Sequence, residues 1–272
     1  QKFKPQKNQL WPNILARSLL MQTIIITGAA SGIGQATAKK LASLGWHIGA
    51  MDVNEEALNA LTTEIGPERC YKIALDISNP EAISSAFAEY VAHAGHLDAL
   101  FNCAGVLEVG DFASISPAKH QRIIDVNMGG VLHGTLAAFD YLRQRDHARV
   151  INMCSASAIY GVPGFASYSA SKFFVRGLTE ALNIEWQEHG IYVCDIAPPF
   201  VNTPMLDDTN SPFIEKLGIH LYADDVASVV VKTLTGKRVH YRVSTQLKIM
   251  QLLSKWLPSR WARASLKLLA KP

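Results

Sequence analysis

Short apolar runs rich in β-branched residues recur along the chain and alternate with segments of helical periodicity. The runs lie near residues 22–27, 47–52, 70–75, 98–103, 149–154 and 191–197. Strands that alternate with helices in this way predict an α/β fold, a doubly wound parallel sheet with helices on both faces, in three layers. In such a sheet, ligands bind beyond the carboxyl ends of the strands.

The 272 residues are 49% hydrophobic, which is enough to bury one large core. We predict a single domain with its core at residues 21–200, a basic extension over residues 1–20, and residues 201–272 in the same domain. The extension does not read as a signal peptide, because Pro12, Asn13 and Arg17 interrupt its apolar residues. Met21 directly opens the first strand, so we expect residues 1–20 to lie upstream of the natural start. No apolar run approaches the length that spans a membrane.

A glycine-rich turn follows the first apolar run and precedes a helical stretch over residues 35–44. Strand, turn and helix in this order form the context in which proteins bind the pyrophosphate of a dinucleotide. Glycine lets the backbone approach the phosphates, and the amides and positive dipole end of the helix attract their charge. The spacing is GxxxGxG, which differs from the general GxGxxG fingerprint. The cofactor-binding residues predicted here are Thr27, Gly28, Ser31, Gly32, Ile33 and Gly34.

Asp52 ends the second apolar run, eighteen residues beyond the last glycine of the turn. A carboxylate in this place accepts hydrogen bonds from the ribose hydroxyls of the adenosine and repels a 2′-phosphate. Neither Ser31 nor Val53 supplies a cation for such a phosphate, so the sequence favours NAD(H) over NADP(H). Asp52 is also placed to cap the helix predicted over residues 55–65, and the two roles are compatible.

A tyrosine and a lysine stand four residues apart, at Tyr168 and Lys172, and Ser155 precedes the tyrosine by thirteen residues. Together a phenol, an ammonium and a hydroxyl can move a proton on and off an alcohol. A free phenol has a pKa of about 10, and a cation one helical turn away favours its phenolate. A YxxxK pair is also common on solvated helix faces, so its assignment depends on the motifs that accompany it.

These motifs, in this order, resemble the short-chain dehydrogenase/reductase family in its single-domain form. The resemblance covers about residues 21–200 and implies a Rossmann-type fold, in which the segment that follows, residues 202–221, caps the substrate. Residues 201–272 are thus predicted to form this substrate-capping region and a basic amphipathic tail, and the tail departs from the common ending of the family. It implies a catalytic set of Asn127, Ser155, Tyr168 and Lys172, the last two also contacting the cofactor. On the cofactor side it adds Asp76, Ile77, Asn102, Ala104, Gly105, Pro198, Val201 and Thr203.

The chain departs from the family pattern in two of these motifs. Cys103 replaces the second asparagine of NNAG, and Pro199 replaces the glycine of PGxVxT. We expect the first change to remove a stabilising contact. The second should stiffen the turn beside the nicotinamide, because proline fixes its φ angle near about −65°.

The resemblance implies an oxidoreductase that transfers a hydride between NAD(H) and a secondary alcohol or ketone. In that activity Tyr168 exchanges the hydroxyl proton, Lys172 lowers its pKa and binds the nicotinamide ribose, Ser155 holds the substrate oxygen and Asn127 positions water. The C-terminal tail resembles that of family members that act on retinoids, steroids and other lipid-like alcohols, which implies a hydrophobic or lipid-like substrate of the steroid, retinoid or long-chain type. The residues expected around the substrate are apolar, in agreement with this implication. They are Val106, Leu107, Ala156, Ala158, Ile159, Val162, Phe165, Phe200 and Met205.

Three other functions remain open from the sequence. An NADPH-linked 3-oxoacyl reductase needs a cation for the 2′-phosphate, which the residues near Ser31 and Val53 do not offer. A halohydrin dehalogenase would usually have arginine in the place of Lys172. A nucleotide-sensing or scaffold protein would keep the fold without needing the complete catalytic set. The resemblance also implies a homodimer or homotetramer.

The charge is unevenly distributed along the chain. Residues 226–272 hold ten Lys and Arg without one Asp or Glu, whereas residues 21–225 carry a net charge of −11. Apolar residues repeat at helical spacing over 246–257, and bases recur every three or four residues after Pro258. Such a tail either docks on the acidic body or a sister subunit, which we favour, or lies on an anionic membrane surface. No nucleic-acid motif accompanies the charge, so we predict no nucleic-acid partner.

The cysteines and histidines give little sign of cross-links or metal. Cys70, Cys103, Cys154 and Cys194 fall in or beside predicted strands and form no CxxC pair. Free thiols in a reducing compartment are therefore expected, and with them a cytoplasmic location, with the tail able to reach a membrane surface. His93 and His96 lack acidic or thiol partners, so no metal site is predicted.

Overall fold

A parallel sheet of seven strands forms the centre of the computed structural model, which describes residues 21–207, 209, 211–244 and 259–269. The strand order is β3-β2-β1-β4-β5-β6-β9. These strands are β1 (Thr23–Thr27), β2 (His47–Asp52), β3 (Cys70–Ala74), β4 (Ala99–Asn102), β5 (Ala148–Met153), β6 (Ile191–Ala197) and β9 (His240–Arg242). A separate two-stranded sheet pairs β7 (Val201–Asn202) with β8 (Leu221–Tyr222) in parallel.

Helices cover both faces of the large sheet. They are α1 (Gly32–Ser43), α2 (Glu55–Ile65), α3 (Pro80–Ala94), α4 (Pro117–Ile124), α5 (Val131–Leu142), α6 (Ala166–Glu185), α7 (Pro212–Leu217), α8 (Ala223–Thr233) and α9 (Ser259–Leu269). A π-helical segment, Asp125–Gly130, joins α4 to α5. Asn54, Asn79 and Ser116 cap α2, α3 and α4, each accepting a hydrogen bond from a main-chain N–H of the first turn.

Strand β1 shows how the layers form. All five of its residues are buried. Ile24 and Ile26 pack into the core on one face of the sheet and Ile25 into the core on the other, because successive side chains of a strand point to opposite faces. A strand that is buried on both faces reads as the continuous apolar run seen in the sequence. The predicted doubly wound, three-layer α/β architecture is confirmed.

The six predicted strands are present, and each end agrees with the prediction to within one residue. The seventh strand, β9, was not predicted, because the sequence His-Tyr-Arg has no apolar run. It is fixed by partners on β6. Asp195, which is fully buried, accepts from Arg242 Nη1 at 3.0 Å and lies 2.6 Å from His240 Nδ1. A buried carboxylate needs such partners, so Asp195 positions the strand.

The tail is described in part. The helical pattern over residues 246–257 and the basic extension over residues 1–20 lie outside the described residues. After Pro258 the chain forms α9, which packs against α7, and Lys216 Nζ donates to the carbonyl of Leu268 at 3.3 Å. A helix docked on the body agrees with the favoured prediction for this part of the tail. Within the described ranges, no helix is long and apolar enough to cross a membrane.

Candidate active site

The glycine-rich turn lies between β1 and α1, at the carboxyl edge of the sheet, and packs tightly against the loop after β4. Gly28 has a φ of 70°, and a Cβ there would lie 2.8 Å from Ala104 Cα. Thr27 Oγ1 accepts hydrogen bonds from the amides of Cys103 at 3.1 Å and Ala104 at 3.2 Å. Only glycine combines this backbone conformation with so close a neighbour. The two loops therefore form one surface.

The start of α1 is suited to bind an anion. Its N-cap, Ser31, makes no side-chain capping hydrogen bond, and the first turn contains no acidic residue. Gly32, Ile33 and Gly34 of this turn line the cavity, and their amides lie without a side-chain cap at the positive end of the helix dipole. This arrangement fits the pyrophosphate of a dinucleotide.

Asp52 lies at the end of β2, where the adenosine ribose of such a dinucleotide is expected. Its Oδ2 accepts from the amide of Ala30 at 3.1 Å, and its Oδ1 accepts from the amide of Asn54 at 3.0 Å. The N-cap of α2 is Asn54 and not Asp52. The carboxylate thus braces the glycine-rich turn and still lines the cavity.

Asp76, the predicted adenine-side residue, is already engaged with other side chains. Arg122 Nη1 lies 3.1 Å from its Oδ2, and the amide and hydroxyl of Ser78 donate to its Oδ1. Burial opposes the charge, but the hydrogen bonds from Ser78 and the pairing with Arg122 hold the pKa of Asp76 below its usual value. Ile77 beside it touches the π-helical segment, since a Cβ at Gly130 would lie 3.0 Å from its side chain.

Ser155, Tyr168 and Lys172 meet at the other end of the cavity. Ser155 follows β5 and precedes a 3-10 turn, while Tyr168 and Lys172 lie one turn apart in α6. Lys172 Nζ donates to the carbonyl of Met153 at 2.9 Å and lies 5.4 Å from the centroid of the Tyr168 ring. The Ser155 hydroxyl hydrogen-bonds the phenol. The structure therefore brings together the three groups whose spacing suggested proton transfer.

The electrostatics of this trio differ from the expectation that Lys172 lowers the pKa of Tyr168. Desolvation raises the pKa of Tyr168 to about 12, and the hydrogen bond from Ser155 opposes that rise. Desolvation lowers the pKa of Lys172, although the neighbouring thiols oppose this. Lys172 Nζ is 5.4 Å from the centroid of the Tyr168 ring and donates a hydrogen bond to Met153. Its charge therefore does not offset the rise in the pKa of Tyr168 that desolvation causes.

Asn127 is fully buried in the π-helical segment and does not line the cavity. Its Oδ1 accepts from the amide of Val106 at 2.8 Å, and its Nδ2 donates to the carbonyl of Val106 at 3.0 Å and to Ser171 Oγ at 3.2 Å. The side chain thus ties the loop after β4 to α6, beside Lys172. Three hydrogen bonds occupy the amide that was expected to position water.

Asn102, which was predicted to bind the cofactor, also lies outside the cavity wall. It is buried at the end of β4, and its Nδ2 donates to Thr135 Oγ1 at 3.0 Å and to Asn152 Oδ1 at 2.9 Å. The side chain points to α5 and β5, so the structure does not place it in the cavity wall.

One cavity of about 690 Å³ joins the glycine-rich turn to the Tyr168 end. Of the predicted site residues, Asn102 and Asn127 alone are outside its lining. All the other predicted site residues line the cavity: Thr27, Gly28, Ser31, Gly32, Ile33, Gly34, Asp52, Asp76, Ile77, Ala104, Gly105, Ser155, Tyr168, Lys172, Pro198, Val201 and Thr203. The apolar substrate-side candidates line it too, except Ala158, which is buried behind the wall.

Several lining residues were missed by sequence reasoning. Arg122 reaches the adenine side from α4, and Tyr160 lies near the expected substrate-side residues. The part of the wall that comes from the C-terminal region is formed by Phe213 and Leu217 of α7, His220, and Leu266 and Leu269 of α9. The amphipathic pattern of the tail was a signal that α9 has a buried face, but nothing in the sequence said where it docks.

The four described cysteines are free, and Cys70, Cys154 and Cys194 are buried. Burial raises the pKa of Cys103 and of Cys154 to about 12, so both are thiols beside the cavity at neutral pH. Within the described ranges, no cluster of His, Cys, Asp and Glu is arranged to hold a metal ion.

Comparisons with known proteins identify the family of the chain. The family model described as short chain dehydrogenase matches residues 22–212. The chain is 34% identical over 196 residues to the short-chain reductase protein NovJ of Streptomyces niveus, covering 71% of this chain and 73% of that protein. It is 32% identical over 191 residues to 2,5-dichloro-2,5-cyclohexadiene-1,4-diol dehydrogenase of Sphingobium indicum, covering 68% and 74%.

A solved structure of 3-ketoacyl-(acyl-carrier-protein) reductase from Brucella melitensis, complexed with NADH, superposes with a TM-score of 0.76 at 26% identity. The alignment covers 82% of this chain and 96% of that one. The family match, the identities and the shared architecture agree, and the chain is therefore a member of the short-chain dehydrogenase family of oxidoreductases.

Proposed function

We propose that the protein is an NAD(H)-dependent oxidoreductase that interconverts an apolar secondary alcohol and its ketone. The observation that carries this proposal is the shared cavity. One end presents the glycine-rich turn and Asp52, and the other presents Ser155, Tyr168 and Lys172. A dinucleotide that extends from the first end would place its reactive ring near the second. The nicotinamide, when bound, supplies the hydride acceptor or donor.

The chain's own residues carry the proton. Ser155 and Tyr168 hold the substrate oxygen through their hydroxyls, and Tyr168 takes the proton from an alcohol or gives it to a ketone. Lys172 donates to Met153 and lies beside the phenol. Its positive charge and that of the oxidised nicotinamide would together favour the phenolate. This second charge is needed, because desolvation alone raises the pKa of Tyr168 to about 12.

Asn127 acts as a positioning residue in this proposal. Its amide holds Val106 and Ser171, and so connects the loop after β4 to the helix that carries Tyr168 and Lys172. Removing it would leave the main-chain N–H and C=O of Val106, which are partly buried, without these partners. We expect the effect of its loss to reach the reaction through the placement of Lys172.

The preference for NAD(H) is supported by Asp52 and by the cations of the cavity. A 2′-phosphate would meet the Asp52 carboxylate, and Val53 next to it brings no positive charge. Among the described residues that line the cavity, Arg122 is paired with Asp76 and Lys172 lies at the opposite end. The alternative, an NADPH-linked 3-oxoacyl reductase, would require NADP(H) to be used at least as well as NAD(H).

An apolar substrate is supported by the wall around Tyr168. Val106, Leu107, Ile159, Val162 and Phe165 lie on the core side. Met205, Leu206, Phe213 and Leu217 come from the substrate-capping region, and Phe200 directly precedes it. These ten side chains offer no partner for a phosphate or carboxylate group, and they offer area for burying hydrocarbon.

A homo-oligomer is supported by large apolar side chains left exposed on α5 and α6. These are Leu132, Leu136, Phe173 and Ile184. Patches of this kind mark interaction surfaces in soluble proteins. We propose that they meet a second copy of the chain, which sedimentation or light scattering would test.

The activity is tested by mixing the purified chain with NADH and a panel of aliphatic and cyclic ketones, and with NAD and the matching secondary alcohols. We expect nicotinamide absorbance to change with apolar members of the panel, and kcat/KM to rise with the hydrocarbon area of the substrate. Absence of any change in both directions would contradict the proposal. Better use of NADPH and 3-oxoacyl thioesters would favour the alternative.

A further inference from the structure

Helix α9 forms part of the cavity wall. It lies across α7, where Lys216 Nζ donates to the carbonyl of Leu268, and its Leu266 and Leu269 line the cavity with Leu217 of α7. One face of α9 is therefore in contact with the substrate region. The opposite face of α9 is exposed and carries both basic and apolar side chains.

The outer face of α9 carries exposed bases beside exposed apolar side chains. Arg260, Arg263 and Lys267 are exposed, and Trp261 and Leu268 are 59% and 70% exposed. At about 100° per residue, the three bases form one strip and Trp261 and Leu268 form an adjacent strip. In the described part of the chain, no ion pair joins these three bases to a carboxylate. Docking on the acidic body therefore uses the leucines and leaves the charges facing outwards.

More apolar side chains are exposed near the same part of the cavity. Met205 and Leu217 line it and are 42% and 41% exposed, and Ile219 is 40% exposed just after α7. Exposed apolar residues next to an uncompensated basic strip match the amphipathic surface that lies in a membrane interface. Tryptophan is enriched at the level of the headgroups, and lysine and arginine are attracted to anionic lipid.

We propose that the outer face of α9 docks the protein on an anionic lipid bilayer, with Trp261 and Leu268 inserted and Arg260, Arg263 and Lys267 at the headgroup phosphates. Because the inner face of the same helix lines the cavity, docking brings the α7–α9 side of the substrate region to the bilayer. An apolar alcohol or ketone could then reach Tyr168 from the hydrocarbon without crossing water. This last step rests on the proposed function, whereas the docking itself does not.

The test is co-sedimentation of the intact chain with phosphatidylcholine vesicles, either neutral or containing a third of phosphatidylglycerol. We expect binding to the anionic vesicles alone, and release as salt rises to about 0.5 M. Each base near an anionic surface strengthens binding by about fivefold. The triple variant Arg260→Glu, Arg263→Glu and Lys267→Glu should therefore weaken it at least about a hundredfold.

The matched control reverses three exposed bases elsewhere, Lys232→Glu, Lys237→Glu and Arg238→Glu, with the same change of net charge. It should keep most of the binding. No binding by the intact chain, equal losses in the two triple variants, or full binding by the α9 variant would each overturn the proposal. A change of oligomeric state in the α9 variant alone, without a change in vesicle binding, would assign this face to a second copy of the chain and overturn it too.

Insertion of Trp261 has its own readout. In a Trp11→Phe, Trp256→Phe background, the remaining Trp46 and Trp186 are buried, so lipid-accessible fluorescence reports Trp261. Brominated phosphatidylglycerol should quench it, and unchanged fluorescence in bound protein would contradict insertion. Binding of NADH, followed by its fluorescence, should be the same in all variants. Failure of docking with intact NADH binding is thereby distinguished from failure of the proposed function.

Discussion

The two sides of the substrate cavity are built in opposite ways. The side that carries Tyr168 is held by hydrogen bonds of buried polar side chains. Lys172 hydrogen-bonds Met153, and Asn127 hydrogen-bonds Val106 and Ser171. The other side, formed by the substrate-capping region and α9, is apolar and is held by packing between α7 and α9. Several of its large side chains are exposed.

This difference separates chemistry from selectivity. Proton transfer needs groups held within a fraction of an ångström, which a satisfied polar network provides. Recognition of an apolar substrate needs area and shape, and an apolar wall can change these without disturbing the network. Substitutions on the two sides should therefore differ in kind, with losses of kcat on one side and changes of KM on the other.

The largest effect is expected from Tyr168→Phe, which removes the transferable proton and keeps the ring. Turnover should fall by at least about a thousandfold while NAD affinity stays nearly unchanged. Steady-state kinetics and fluorescence titration of NADH measure the two quantities. Tyr71→Phe is the control and should keep full activity, because Tyr71 lies on the edge strand β3 and its hydroxyl donates to Glu89. Substantial turnover by Tyr168→Phe would refute the proton-transfer role.

Lys172→Ala should lower turnover by several hundredfold and weaken cofactor binding as well. Alcohol oxidation requires the phenolate, so its rate rises with pH through the pKa of Tyr168. Removing the neighbouring cation raises that pKa, and the remaining activity should shift to higher pH. The pH profile of kcat in the oxidation direction measures this shift. A lower rate with an unmoved profile would mean that the lysine does not tune the tyrosine.

Asp52 should give a preference of about a hundredfold for NAD(H) over NADP(H) in kcat/KM. Repulsion of the 2′-phosphate, together with the loss of the ribose hydrogen bond, corresponds to about 3 kcal/mol, which is that factor. Asp52→Ser should narrow the gap, mainly by raising the KM for NAD. Equal use of both cofactors by the unaltered chain would show that the carboxylate serves only to brace Ala30 and Asn54.

The smallest effect is expected on the capping side. Leu266→Ala shortens a side chain of the cavity wall and should raise the KM for an apolar ketone by about three- to tenfold, with kcat nearly unchanged, because it removes apolar contact area. Leu268→Ala, on the outer face of the same helix, is the matched control and should leave both constants unchanged when no vesicles are present. Equal effects of the two substitutions would mean that α9 does not contact the substrate.

The sheet and the glycine-rich turn could be predicted because the information is local. A strand buried on both faces has to be apolar, and the turn after β1 needs glycine where Gly28 meets Ala104. The approach of Tyr168 to Lys172 follows from helical spacing alone. Ser155 joins them because β5 ends beside α6, which the alternation of strands and helices already implied.

The remaining features depend on neighbours that are distant in sequence. Asn102 follows an apolar strand as a cofactor residue should, but Thr135 and Asn152 take its amide. Strand β9 depends on the buried Asp195, and no pattern in His-Tyr-Arg announces that partner. The pKa of Tyr168 is governed by how much water the assembled protein removes, which spacing does not reveal.

The π-helical segment between α4 and α5 also sets the rotational phase of the helix that follows it. A π turn contains about one residue more than an α turn, and one residue corresponds to about 100° of rotation. Deleting a single residue within Asp125–Gly130 would allow a regular α-helix and would turn all of α5 by that angle. Leu132 and Leu136, now exposed, would then take the buried places of Val131 and Thr135, and Ala138 would move to the half-buried place of Ala137. One surplus residue thus sets both the anchoring of Val106 and the surface that α5 presents.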